Sequence, residues 1–169
     1  MKSRSKNIAV LGVLTAAALV LSYVEGILPP IYPAVPGIKV GLPNIVVIVA
    51  FYKFGAREAC VISLLRVFIA ALLFGNAMTL AYSLAGAVLS LLCMAVLKRL
   101  DMFSAIGVSI IGGVAHNLGQ ILVAVVLLNS TLIGYYMIIL TFTGTLAGVF
   151  VGLAGSLLIK RLDGIKLIR

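Results

Sequence analysis

The feature that most restricts this chain is a succession of apolar runs, each near the length of a bilayer crossing. They cover roughly residues 7–27, 39–54, 57–73, 77–97, 104–128 and 134–159, and only short charged or proline-bearing links separate them. A helix rises about 1.5 Å per residue, so about 20 apolar residues cross the ~30 Å hydrocarbon layer. Six such runs leave almost no chain for a soluble domain. Hydrophobic residues make up 63% of the sequence and charged ones 10%, where a soluble domain carries about 25% charged residues. So few polar groups cannot cover a core in water. The expectation is an all-α, polytopic integral membrane bundle of six transmembrane helices, one domain over 1–169, with the lipid bilayer as its solvent.

The formal net charge is +9. A soluble basic domain would suggest nucleic acid. Here the basic residues sit between apolar runs rather than on one face, so no nucleic-acid partner is expected and they read as topology markers. With six spans, Lys2, Arg4, Lys6, Lys53, Arg57, Lys98, Arg99, Lys160, Arg161, Lys166 and Arg169 fall on one side, eleven of the thirteen. Lys39 alone falls on the other, and Arg66 lies inside a run. That asymmetry predicts both termini in the cytoplasm and a multi-pass protein of the cell membrane. The first run ends in EGILPP rather than in a small-residue cleavage site, so it reads as a retained span. The segment PPIYPAVPGI that follows, with four prolines in eight residues, reads as an ordered, non-helical loop.

Within the fifth run, GGVAHNLGQIL at 112–122 carries three polar side chains in five positions, including the chain's one histidine. Polar and ionisable groups in a span are costly and usually face the bundle interior or a water-filled cavity. Arg66 lies about 13 Å above the cytoplasmic boundary and His116 about 18 Å, with Gln120 about 6 Å further out. Glu25 ends the first run, Asn44 follows Pro43 in the outer half of the second, and Asn76 and Thr79 lie at the turn before the fourth. Tyr82 and Ser83 are one turn deeper. The strong polar groups thus run from mid-membrane outward, which predicts a cavity open on the outer side. His116 and Gln120, four apart, share a helix face. Asn117 is turned by about 100° from it, toward a neighbouring helix. Arg66 keeps its proton and needs an acceptor: Glu25, backbone carbonyls or an anionic ligand. Two readings stay open. Arg66 and the polar groups of the fifth run satisfy one another, or some of Arg66, His116, Asn117, Gln120, Asn44, Glu25, Asn76 and Tyr82 bind a small molecule.

Several chemistries find no support. There is no GxxxxGK[ST] motif for nucleotide phosphates. The acids Glu25, Glu58, Asp101 and Asp163 are scattered and one histidine is available, so no metal site and no catalytic residue is expected. No span carries two histidines for haem. Cys60 and Cys93 form no CxxC and read as buried free thiols. The chain is therefore expected not to be an enzyme and to bind no cofactor covalently.

Small residues recur four apart at Gly144, Gly148 and Gly152, at Ala77, Ala81 and Ala85, and at Gly12 and Ala16. Such stripes let helix backbones approach closely in lipid. The first two read as packing within the bundle. Gly12 and Ala16, on an outer helix, read as a docking face for another membrane protein.

The strings HNLGQ and KVGLPNI, the FGAREA link followed by LLR, and the LFGN turn resemble the heptaprenyl diphosphate synthase component I family, also called the Gx transporter family, over roughly 8–160. That family in turn resembles the substrate-binding S components of energy-coupling factor (ECF) transporters. The resemblance implies six helices with both ends cytoplasmic and a pocket open to the outside, capped by the loop after the first helix, here 28–38. It also implies a transmembrane coupling subunit with two ATPases, docked on the first helix at Gly12 and Ala16. The function so implied is the membrane-embedded substrate-binding subunit of an ECF-type uptake transporter. Two others stay beside it: a membrane subunit of a quinone- or flavin-dependent extracellular electron-transfer system, its quinone or flavin held non-covalently, and an accessory subunit of a polyprenyl diphosphate synthase.

Overall fold

The computed structural model describes residues 2–28, 41–129 and 135–163, with side chains from residue 7 onward apart from Leu128. The expected cap at 28–38 lies, beyond Leu28, outside the described residues, as does Lys39. The described chain is all helical: α1 (Lys2–Ile27), α2 (Leu42–Lys53), α3 (Ala56–Phe74), α4 (Ala77–Leu100), α5 (Ala105–Leu128) and α6 (Tyr136–Leu162).

Local chemistry sets the ends. Asn76 opens α4 with a capping box, its side chain accepting the Thr79 N–H while the Thr79 hydroxyl accepts the Asn76 N–H. The Ser104 hydroxyl accepts the Gly107 N–H at the start of α5. Gly41 precedes α2 in the left-handed region, at φ 80°, where glycine carries no Cβ penalty, and Pro43 sits in the first turn. Asp101 and Asn129 end α4 and α5 in the same region, which Asp and Asn tolerate.

Four stretches are long and apolar enough to cross a membrane: Asn7–Ile27, Ala77–Leu100, Ala105–Leu127 and Tyr136–Leu162. The other two expected spans are not carried by length and hydropathy. At 12 residues, α2 is about 18 Å long, well short of the hydrocarbon layer. At 19 residues, α3 has the length but carries Arg66 near its middle.

The helices α2 to α6 close a ring, each packed on the next and α6 returning to α2, while α1 lies outside against α2 and α3. The short α2 is the most enclosed element. Val46 to Phe51 are buried without a break, with Ile48 and Phe51 each 1% exposed. Outward faces are apolar instead, as at Leu72 (84% exposed), Ile138 (78%) and Val126 (77%). A soluble surface rarely presents so much contiguous apolar area; lipid accepts it.

The small-residue stripe of α6 packs within the bundle. A Cβ on Gly148 would stand 2.5 Å from Ile110 Cα, and one on Gly113 of α5 would stand 2.6 Å from the Gly144 carbonyl oxygen. Backbones that close admit no side chain between them. On α4, Ala85 meets Gly119 of α5, where an added Cβ would lie 2.7 Å from the Ala85 carbonyl oxygen.

One end of the ring is basic and tied by charge. Lys98 on α4 donates to the Phe51 carbonyl at 2.8 Å and lies 4.7 Å and 4.8 Å from the Phe51 and Tyr52 ring centres. It so holds the C-terminal end of α2, where a cation also suits the helix dipole. Lys53 pairs with Asp163, joining α2 to α6. Cys60 and Cys93 are half-buried free thiols rather than fully buried ones.

Candidate functional site

The opposite end of the ring encloses a cavity of about 200 Å³. Every helix contributes to its wall. α1 ends there with Glu25, α2 begins there with Pro43 and Asn44, and α3 brings Arg66 and the apolar face of Val67, Ala70, Ala71 and Phe74. Thr79 and Ser83 come from the first turns of α4, His116, Asn117 and Gln120 from α5, and Gly144 and Ala147 from α6. Residues far apart in sequence thus share one hollow, on the half of the bundle that the sequence assigned to the polar groups.

Each polar side chain there has its own arrangement. Glu25 does not pair with Arg66. Its Oε1 accepts the Gly41 N–H at 2.5 Å and lies 3.4 Å from the Leu42 nitrogen, so the carboxylate caps α2 across 16 residues of sequence. Acceptors are well placed at a helix N-terminus, where backbone N–H groups lack partners and the dipole is positive. The Arg66 Nη2 lies 3.5 Å from Asn44 Oδ1, at the outer limit of a hydrogen bond. Its Nε is buried with no partner among the described residues. The one ion pair among the described residues is Lys53–Asp163, at the other end of the ring.

On α5 the shared face of His116 and Gln120 is realised: Gln120 Nε2 lies 3.2 Å from His116 Nε2. Asn117 is turned away from that pair and donates to the Leu140 carbonyl of α6 at 2.7 Å. Gly144 makes room for this bond, since a Cβ there would stand 2.8 Å from Asn117 Nδ2. Asn117 therefore borders the cavity while fastening α5 to α6.

Six of the eight expected binding residues surround the cavity: Arg66, His116, Asn117, Gln120, Asn44 and Glu25. Asn76 and Tyr82 are not part of its wall. The Asn76 side chain is committed to the α4 cap, and the residue is exposed. Tyr82 is half-buried three residues along α4 from the wall residue Thr79 and adjacent to Ser83, so its direction on the helix differs from Ser83 by about 100°. Gly12 and Ala16 lie on the exposed face of α1, and nothing stands within 4 Å of a Cβ built on Gly12.

The hollow reaches further inward than the strong polar groups suggested. A second cavity of about 40 Å³ shares Asn44, Gly113 and His116 with the first and is lined by Ser63, Ser90 and Ser109. Ser63 and Ser109 are 3% and 5% exposed. Hydroxyls inside helices commonly bond to a carbonyl one turn back, as Thr15 does to Leu11 and Ser22 to Ala18. Ser63, Ser83 and Ser109 make no such bond among the described residues and face the two cavities instead. A signal for them was present: Ser63 stands three before Arg66, Ser90 seven after Ser83, and Ser109 seven before His116, spacings that keep one helix face.

Among known proteins, residues 14–158 match the model of a family described as heptaprenyl diphosphate synthase component I. No curated protein matches the chain, and no solved structure does.

Proposed function

The chain belongs to the heptaprenyl diphosphate synthase component I family, and from that membership and the walled cavity we propose that it is a membrane-embedded, substrate-binding subunit of an uptake transporter, of the S-component kind. The observation that carries the reading is the cavity of about 200 Å³ enclosed by helices, with Arg66, Asn44, His116 and Gln120 in its wall. Ligand sites are concave, largely apolar and set with a few converging polar groups, and this wall has that composition.

In this reading all six helices lie across the cell membrane and both termini are cytoplasmic. Two facts support counting α2 and α3 as spans. The short α2 is buried by its neighbours, so it borders protein rather than lipid along its length. On α3, Val61, Leu65, Phe68 and Leu72 form an exposed apolar stripe at helical spacing, while Arg66 lines the cavity. An arginine that faces a cavity does not pay the full cost of facing lipid. Lys53, Arg57, Lys98, Arg99, Lys160 and Arg161 lie at the end away from the cavity, and the positive-inside tendency supports a cavity that opens on the outer side. The exposed Gly12 and Ala16 supply the surface for a transmembrane coupling subunit with its two ATPases.

The family description supports a second reading, an accessory subunit of a polyprenyl diphosphate synthase whose other component performs the chemistry. One experiment separates them. The full chain is purified from native membranes in mild detergent, and its partners and extractable small molecules are identified by mass spectrometry. A membrane coupling protein with two ATPases and a stoichiometric small molecule are expected. A soluble prenyl synthase component in their place, with no small molecule, moves the protein to the second reading.

A further inference from the structure

Resting on the binding-subunit reading, we propose that the cavity takes a small organic carboxylate, with its charged group against Arg66 and its apolar body along α3. Three observations converge on this. The Arg66 guanidinium lines the cavity with its Nε buried and without a partner among the described residues, and its Nη2 reaches Asn44 Oδ1 only at 3.5 Å. A guanidinium carries five N–H donors in a planar fork that matches a carboxylate in bidentate geometry. The acid nearest in the wall, Glu25, is already held by the Gly41 and Leu42 N–H groups. The α2 N-terminus thereby keeps the Glu25 carboxylate out of direct contact with Arg66, so Glu25 acts on the guanidinium only through space and leaves its N–H donors to be met by something else.

The rest of the wall decides between anions. Beside Arg66 on α3 lie Val67, Ala70, Ala71 and Phe74, a surface suited to an apolar body rather than to a fully hydrated ion. Arg66 is the one cation among the lining residues, and Glu25 is close by. A single guanidinium balances a monoanion; a phosphate dianion would sit under-compensated next to a carboxylate. His116 and Gln120, 3.2 Å apart, line the same hollow and add polar groups to its wall. At about 200 Å³, the cavity lies below the ~300–1,000 Å³ of sites for drug-sized ligands, so the molecule is small.

The test uses the full chain in lipid nanodiscs and radiolabelled benzoate as probe, displaced by unlabelled benzoate, by its neutral isostere benzamide, or by inorganic phosphate. Saturable benzoate binding is expected, with benzamide roughly tenfold or more weaker, the worth of a charge-assisted hydrogen bond, and phosphate weaker than benzoate. R66Q is expected to abolish the preference for benzoate over benzamide. E25Q, which removes the neighbouring negative charge and can still accept the Gly41 N–H, is expected to bind benzoate more tightly; it serves if R66Q does not fold. Equal displacement by benzamide, R66Q equal to wild type, or E25Q binding benzoate more weakly overturns the anion assignment while leaving the cavity a binding site. Phosphate displacing better than benzoate overturns the carboxylate in favour of a phosphate. No saturable binding to the wild type overturns the proposal, whereas the binding-subunit reading fails separately, on a native complex without small molecule or ATPases.

Discussion

Glu25 and Arg66, the one acid and the one guanidinium in the cavity wall, do not pair: the carboxylate caps α2 at Gly41, and the guanidinium reaches Asn44 instead. Opposite charges placed near one another in a low-dielectric interior ordinarily neutralise each other. Here the backbone of α2 takes the acid, and the cation is left facing the hollow.

A buried charge without a counterion in direct contact destabilises the ligand-free protein. Arg66→Leu is therefore expected to raise its thermal stability in detergent, by about 1–3 kcal/mol, in line with exchanges of buried charges for apolar residues. Thermal unfolding of both forms measures this. A lower melting temperature in the variant would mean that the Asn44 contact outweighs the cost of burying the charge.

The cap supplied by Glu25 is expected to be worth about 0.5–2 kcal/mol. Glu25→Ala loses that amount, because the Gly41 and Leu42 N–H groups lose their acceptor. Glu25→Gln loses less, since its amide oxygen still accepts. Equal losses in the two variants would assign the effect to charge rather than to hydrogen bonding.

Gly148 and Gly12 are expected to respond oppositely to one added methyl group. Gly148→Ala forces α5 and α6 apart, because its Cβ meets Ile110 Cα at 2.5 Å; a loss of about 1–3 kcal/mol follows from such overpacking. Gly12→Ala meets nothing within 4 Å and gains up to ~1 kcal/mol from better helix propensity. Unfolding of the isolated chain checks both, and a destabilised Gly12→Ala would contradict an open α1 face.

Asn117 and Gln120 are expected to differ although both border the cavity. Asn117→Leu removes a bond between helices, to the Leu140 carbonyl, and should cost about 0.5–1.5 kcal/mol. Gln120→Leu removes a contact within one helix, to His116, and should cost less. Hydrogen exchange at the α5–α6 contact distinguishes them, with faster exchange expected in the Asn117 variant.

The sequence by itself determined that the chain is helical and where the helices run. The α4 and α6 runs expected at 77–97 and 134–159 became Ala77–Leu100 and Tyr136–Leu162, because run length and capping residues are local properties. It also placed the polar groups in one half, since depth along a helix follows from counting residues. Hydropathy was least informative at α2 and α3: neither a short helix wrapped by protein nor one carrying a cavity-facing arginine meets a test built on length and apolar content. Only the tertiary structure decided which partner each group has. The sequence already marks the α6 stripe as internal and Gly12 as outward; the tertiary structure decided which groups the α6 glycines meet, Gly148 facing Ile110 and Gly144 facing Gly113 and Asn117. Likewise, nothing near Glu25 in sequence indicated that Gly41 would meet it or that Arg66 would be left aside. Those contacts depend on how distant helix ends converge, which is a property of the assembled ring and not of any one run.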